Sequence, residues 1–433
     1  MGEPSGVFSR LFWVHFHRSD AGASLRWAIG LFVLFLLFPG IGSGGSVVAV
    51  GFWIFALLYF AFDPQIRRFD ATEKPIIAAF AAYYLVTVFF AVLNATPDWT
   101  WERFGPVYGN VLFLAFAPVL PVLRRFVRPY WADVFFAGTA GGAILAALIV
   151  LIAGQFSQEY LRSAFSGNEL ILALGAMVSG LLCIHGLLFF RGALRWLLAA
   201  GALAALLALL MSGSRGPLLS YMVTLLAYAL VMGYRHFSLA HMAKRGLLAA
   251  MAVGALSFGV IKADPELTHR IELAVERLEN PNGAEINEDS ISVRLLFYRA
   301  GLSAFVERPL TGHGRQDVMR AAAEHDPQKG SRFHHSHLHN GYLTDLVASG
   351  VLGLLSLLAV LFVPLFVLRH SPPLVFGGLF CVTLSYALYG MTNLLFYHDV
   401  STLYYLSLIT AFCTLSRLPD IERGGGGVDC PRG

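Results

Sequence analysis

Apolar runs separated by short polar connections occupy almost the whole chain. They fall at about 27–43, 45–62, 75–94, 105–122, 131–153, 169–190, 196–212, 216–234, 246–261, 343–368, 373–395 and 400–416. Each is close to the ~20 residues a helix needs to cross a bilayer. All are too long, and too little alternating in polarity, for barrel strands. The pattern predicts an all-α polytopic membrane protein with about twelve transmembrane helices. The first pair is separated only by a glycine-rich turn around Gly42 to Gly45.

One long polar stretch interrupts this pattern, from about Lys262 to Tyr342. A connection of that length usually has a function or a structure of its own. Leu267, Ile271, Ala274, Val275 and Leu278 share a face at helical spacing. Asn280 to Glu288, with Pro281 and Gly283, breaks that helix. A second begins near Ser290, with Ile291, Leu295, Leu302 and Phe305 on one face, and stops at Pro309 and Gly312. A third covers about Gln316 to Glu324. The stretch reads as short helices on the membrane-facing outer surface. The organisation is then helices 1–9 over 1–261, a large loop over 262–342, helices 10–12 over 343–416, and a flexible tail over 417–433.

Charge supplies the orientation. The chain is 57% hydrophobic and 13% charged, against about 25% charged in soluble domains. Its net charge is +4, but the distribution is more telling than the sum. The even-numbered connections are basic: Arg67, Arg68 and Lys74, then Arg124, Arg125 and Arg128, then Arg191 and Arg195, then Arg235, Lys244 and Arg245, then Arg369. The short odd-numbered ones carry only Arg103, Arg162 and Arg215. The positive-inside rule therefore predicts cytoplasmic termini and an external, periplasmic long loop. The aromatic and basic N-terminal segment (Phe12, Trp13, His15, His17, Arg18) has no convincing cleavage site, so the first apolar run reads as a retained anchor. Of the four cysteines, Cys183, Cys381 and Cys413 lie in apolar runs and Cys430 in the tail, which implies no disulfide framework. Membrane lipids are expected partners; nucleic acid is not.

The candidate chemistry gathers outside. His334, His335, His337 and His339 crowd in just before the tenth apolar run. Titratable groups at the mouth of a membrane span are costly to keep without a use. Asn340 is a candidate N-cap for that span, which sets His339 beside the positive end of a helix dipole and favours a neutral imidazole. Such a ring can take a proton near neutral pH. Two other readings compete: a zinc site, since HHSHLH supplies enough imidazoles, and a polar cap with incidental histidines. Against zinc, there is no His-Glu-x-x-His pattern, and Glu324, Asp326 and Asp345 have no motif spacing. Arg215, in Met211-Ser-Gly-Ser-Arg-Gly-Pro217, reads either as a snorkelling arginine in a tight turn or as an anion clamp at a helix start. Arg294 and Tyr298 are one turn apart and can face one ligand, or Arg294 can simply be solvated. His313 lies in the glycine-rich turn Pro309-Leu-Thr-Gly-His-Gly314, where a backbone-bonding role is slightly favoured over ligand contact. One picture unites them. Two arginines hold a diphosphate by charge-assisted hydrogen bonds, replacing Mg²⁺. A neutral histidine deprotonates an attacking hydroxyl, help worth roughly 10²–10⁴ in rate.

These residues carry a resemblance. The chain resembles the O-antigen ligases (WaaL), within the wider Wzy_C-type superfamily of lipid-linked glycan ligases and polymerases. The ligase signature is a histidine, an Asn, Ser or Gln, nine residues, a glycine, two residues, and a Gly, Thr or Tyr. Here it is His339-Asn340, Gly341 to Ser349, Gly350, Val351-Leu352 and Gly353. Ser214-Arg215-Gly216 matches the superfamily's S-R-G turn, and Arg294 precedes Pro309-Leu-Thr-Gly-His-Gly314 as its second arginine precedes P-L-x-G-x-G. The resemblance implies a GT-C-like fold. It also implies metal-independent, inverting transfer of O-polysaccharide from undecaprenyl diphosphate to lipid A–core oligosaccharide, at the periplasmic face of the inner membrane, with no cofactor. Arg215 and Arg294 would hold the diphosphate and His339 would be the base. Tyr298, His313, His337 and Asn340 are further candidates for the binding site.

The nearest rivals are an O-antigen polymerase, which uses the same donor, and a protein O-oligosaccharyltransferase, which often has a further soluble domain. A transporter would place ionisable residues or broken helices near the bilayer midplane. Here Asp133 lies near a span end, His185 is isolated, and no repeat is evident between the halves. A zinc-dependent membrane hydrolase is the remaining alternative.

Overall fold

The computed structural model describes residues 20–95, 107, 111–157, 162–165, 168–236, 290–325 and 337–418. Among the described residues all regular structure is helical. The first half comprises α1 (Asp20–Leu37), α2 (Gly42–Phe62), α3 (Glu73–Leu93), α4 (Leu112–Ala115), α5 (Val119–Phe126), α6 (Trp131–Ala153), α7 (Glu169–Gly186), α8 (Gly192–Met211) and α9 (Arg215–His236). The second comprises α10 (Ser290–Glu307), α11 (Val318–Glu324), α12 (Gly341–Val367), α13 (Pro373–Gly390) and α14 (Asp399–Leu415), with a 3₁₀ turn at Arg315–Asp317. Eight of these (α2, α3, α6–α9, α12 and α13) are long and apolar enough to cross a membrane, and α1 and α14 are shorter apolar helices. The chain is a multi-pass membrane protein.

Most expected spans coincide with helices, and the departures have physical causes. Gly42 to Gly45 is the first turn of α2 rather than a connection; the reversal is at Phe38 to Gly40. A Cβ on Gly45 would lie 2.7 Å from the Phe38 ring, so the glycine lets the helix start pack onto it. The expected run 105–122 is not one helix where it is described. It breaks at residues 116–118 between α4 and α5, because Pro118 has no N–H to continue the ladder. The expected helix 267–278 and the run 246–261 lie outside the described residues.

In lipid no hydrophobic force draws helices together, so small residues that allow close backbone contact decide the crossings. α6 lies against α1, α7 and α8. A Cβ on its Gly138 or Gly142 would come 2.8 Å from the Phe32 carbonyl or 2.3 Å from that of Phe35 on α1. His185 is not isolated: it is fully buried, with Nε2 2.7 Å from the Leu374 carbonyl and Nδ1 2.6 Å from the Tyr228 hydroxyl. A carbonyl only accepts, so Nε2 carries the proton and Tyr228 donates to Nδ1. Cys183, Cys381 and Cys413 are buried free thiols.

At one end of the bundle, Arg124 pairs with Asp70 (3.0 Å) and Glu73 (2.6 Å), and Arg417 with Asp70 (2.5 Å). Burial pushes the Asp70 carboxyl up, but the Glu73 and Thr72 N–H groups and the two arginines outweigh it and hold the group below the ordinary range. α3 starts and α14 ends here. Their other ends lead to the site.

Candidate active site

The site is organised by a break in α12. Asn340 caps its start, its side chain accepting from the Leu343 N–H at 3.0 Å, an interaction worth about 1 kcal/mol. Eight residues later the helix is interrupted at Ser349 (φ −137°, ψ 17°) and Gly350 (φ 63°, ψ −159°). The Gly350 values lie in a region essentially reserved for glycine. Gly341–Ala348 is therefore a short helical stub, set off from the longer segment that follows.

The turn after α10 docks onto the break. His313 N–H donates to the Val347 carbonyl (2.8 Å), Gly314 N–H to Ala348 (2.9 Å), and Val351 N–H to Pro309 (2.9 Å). These bonds satisfy carbonyls that a continuous helix would have used. Gly312 (φ 59°) makes the approach possible, since a Cβ there would lie 2.4 Å from the Ala348 carbonyl. The P-L-x-G-x-G stretch and the G-x-x-G stretch thus form one joint. The His313 ring is occupied structurally, its Nε2 lying 2.9 Å from the Ala304 carbonyl of α10.

α10 packs through Phe297, Ala300 and Ala304, which are buried. Of the expected face through Ile291, Leu295, Leu302 and Phe305, Phe305 packs against this cluster and Leu295 is half-buried, but Leu302 is 54% exposed. Small residues win the contact: a Cβ on Gly301 would lie 2.8 Å from the Leu338 side chain. This packing aims Tyr298 at the start of α12. Its hydroxyl lies 3.2 Å from the His339 carbonyl and 3.3 Å from that of Met391. Burial pushes the Tyr298 phenol up, against the nearby Arg294 charge and a hydrogen bond with Asn340. The His339 ring lies parallel to Phe297 and 4.5 Å from the ring of His337, measured between centroids. His339 has φ 53°, an uncommon backbone state outside glycine.

The opposing wall is the irregular segment 391–398 between α13 and α14. It was expected to be partly helical, as the end of the run 373–395, but α13 stops at Gly390. Phe396 has φ 55° and is buried among Tyr83, Phe113, Tyr386 and Tyr405. Strained residues persist only where their surroundings over-determine them, and they gather at functional sites. Tyr397 carries its ring to 6.3 Å from that of His337, and burial pulls the neighbouring His398 below the ordinary imidazole value, against the Asp399 charge. The first turn of α9 abuts this wall. A Cβ on Gly216 would lie 2.9 Å from Thr392 Oγ1, so the S-R-G turn sits beside the carbonyl that faces Tyr298. The turn is fixed by Gly213 (φ 68°) and by Ser212 Oγ, which accepts from Ser214 N–H at 3.2 Å.

Sequence reasoning missed one buried constellation. Arg315 forms an ion pair with Asp345 on the stub, and the Tyr83 hydroxyl donates to Asp345 at 3.1 Å. Burial opposes the Arg315 charge, but the adjacent carboxylate outweighs it and holds the guanidinium firmly protonated. The available signal was Asp345 itself, a carboxylate one turn inside an apolar run, where a buried charge calls for a partner.

Of the predicted residues, the structure brings together His337, His339, Asn340 and Tyr298, with Arg294 one turn from Tyr298 on α10 and the turn that carries Arg215 meeting Thr392 through Gly216. His334 and His335 lie outside the described residues. Residues 200–358 match the family described as O-antigen ligase, Wzy_C. This stretch is less than half of the chain. It contains both arginines, the docking turn, His339-Asn340 and the α12 break, and ends before the 391–398 wall. That match supports, in general terms, a function of O-antigen ligase or polymerase type on lipid-linked glycans. None of the curated proteins matches the chain significantly in sequence.

Proposed function

We propose that this protein is an O-antigen ligase, transferring O-polysaccharide from undecaprenyl diphosphate to a sugar hydroxyl of lipid A–core oligosaccharide. The site lies at the periplasmic face of the inner membrane, and both termini are cytoplasmic. His339 removes the proton of the acceptor hydroxyl as its oxygen attacks the anomeric carbon. The bond from that carbon to the phosphate oxygen breaks, and the diphosphate leaves with the electron pair, inverting the configuration. Arg215 and Arg294 neutralise the leaving group, so the reaction needs no metal. Tyr298 and Asn340 hold the histidine backbone, and His337 lines the same opening.

The observation that carries this reading is the convergence of the His339 turn, Tyr298 of α10 and the Arg215 turn on the 391–398 segment. The test is complementation of a ligase-deficient Gram-negative strain. Restored ladder-like lipopolysaccharide, lost in Arg215→Ala and His339→Ala at normal expression, is the expected result. Lengthened but unattached O-polysaccharide would instead identify a polymerase. Normal ligation by His339→Ala would remove the general-base role.

A further inference from the structure

We propose that Arg315 and Asp345, with Tyr83, are positioning residues that set the His339 imidazole for transfer; this rests on His339 being the general base.

The stub that follows His339 is only eight residues long, Gly341–Ala348, and its covalent continuation passes through the non-helical Ser349 and Gly350. The long part of α12 therefore does not fix its direction. Two features fix its ends: the turn 309–314 holds Val347 and Ala348, and the Tyr342 hydroxyl donates to the Ala387 carbonyl at 2.6 Å. Between them, Asp345 is the stub's one acidic residue. It is 4% exposed and accepts from both Arg315 and Tyr83, the latter halfway along α3. The stub is thus tied to a membrane-spanning helix and to the 3₁₀ turn at Arg315.

A buried ion pair is a poor device for stability, because well-packed apolar replacements are often neutral or stabilising. It is a good device for geometry, since a bonded carboxylate and guanidinium tolerate little displacement. A misplacement of about 1 Å can cost roughly 10²-fold in rate. Placing the pair one turn from the cap suits that role.

The experiment replaces both charges by apolar side chains of similar size, Arg315→Met with Asp345→Leu, in the full-length purified protein. It measures kcat and donor KM, with and without His339→Ala. The expected result is an unfolding temperature near wild type, kcat lower by about 10- to 100-fold, donor KM changed less than about threefold, and no further loss in the His339→Ala background. Tyr83→Phe, which keeps both charges, is the second variant should the double replacement not fold. It should lower kcat by a smaller factor with the same non-additivity. An unchanged kcat, or losses that multiply with His339→Ala, would overturn the positioning role while leaving the base reading intact. Wild-type turnover by His339→Ala alone would overturn the base reading and this proposal with it.

Discussion

Gly350→Ala is the sharpest test of how the site is built. The added methyl meets a backbone at φ 63°, ψ −159°, a state whose strain for a non-glycine residue is about 1–3 kcal/mol. It would also lie 2.4 Å from the Pro309 carbonyl oxygen and 2.8 Å from the carbonyl carbon of Leu310. The chain can relieve this only by withdrawing the turn 309–314 or by straightening α12. Either route breaks the three backbone hydrogen bonds of the joint, made by His313, Gly314 and Val351, each worth about 0.5–1.5 kcal/mol net. The total is about 3–7 kcal/mol. The assay is thermal unfolding in detergent, run beside donor-to-acceptor transfer. Gly51→Ala is the control, because a Cβ there meets nothing within 4 Å and alanine suits a helix better by roughly 0.5–1 kcal/mol. Gly350→Ala should unfold roughly 3–8 °C lower and lose most transfer, while Gly51→Ala holds or gains stability. Wild-type stability and transfer in Gly350→Ala would refute the idea that this glycine dictates the break.

Three further outcomes follow from the same structure. Tyr298→Phe removes the hydroxyl between the His339 and Met391 carbonyls; transfer should fall about tenfold and stability by about 1 kcal/mol, read by kinetics and unfolding on one preparation. Exhaustive chelation should leave transfer unchanged, and a loss restored by added Zn²⁺ or Mg²⁺ would end the metal-free reading. At the opposite end, Asp70 has a folded-state pKa below its ordinary 3.8. Its contribution is therefore full above that value and lost as pH falls through the lower folded value; Arg417→Ala should flatten the acid-side decline in unfolding temperature.

Much of this molecule was legible in its apolar spacing. Trp131–Ala153 begins and ends where its run does, because a bilayer demands an unbroken apolar stretch and the chain supplies one. Asn340 was legible as a cap because capping is local chemistry. The 391–398 wall was not, since Leu394 and Leu395 prolong the apolar run past Gly390, while the aromatic packing around Phe396 that holds the segment out of a helix is long-range. The Arg315–Asp345 pair was hidden for a related reason: its partners stand 30 residues apart, and the third member, Tyr83, lies 262 residues from Asp345. On α10 the spacing placed Phe305 on the packed side but not Leu302, which faces outward, because the contact runs through Phe297, Ala300, Gly301 and Ala304.

That separation along the chain has a consequence for biosynthesis. A ribosome delivers Tyr83 and the Arg215 turn well before Asp345, and the 391–398 wall later still. A partly made chain in the membrane therefore carries the arginine turn without the histidine or its support. The site cannot assemble until α13 and α14 are inserted, and Arg417, just beyond α14, then closes onto the connection between α2 and α3.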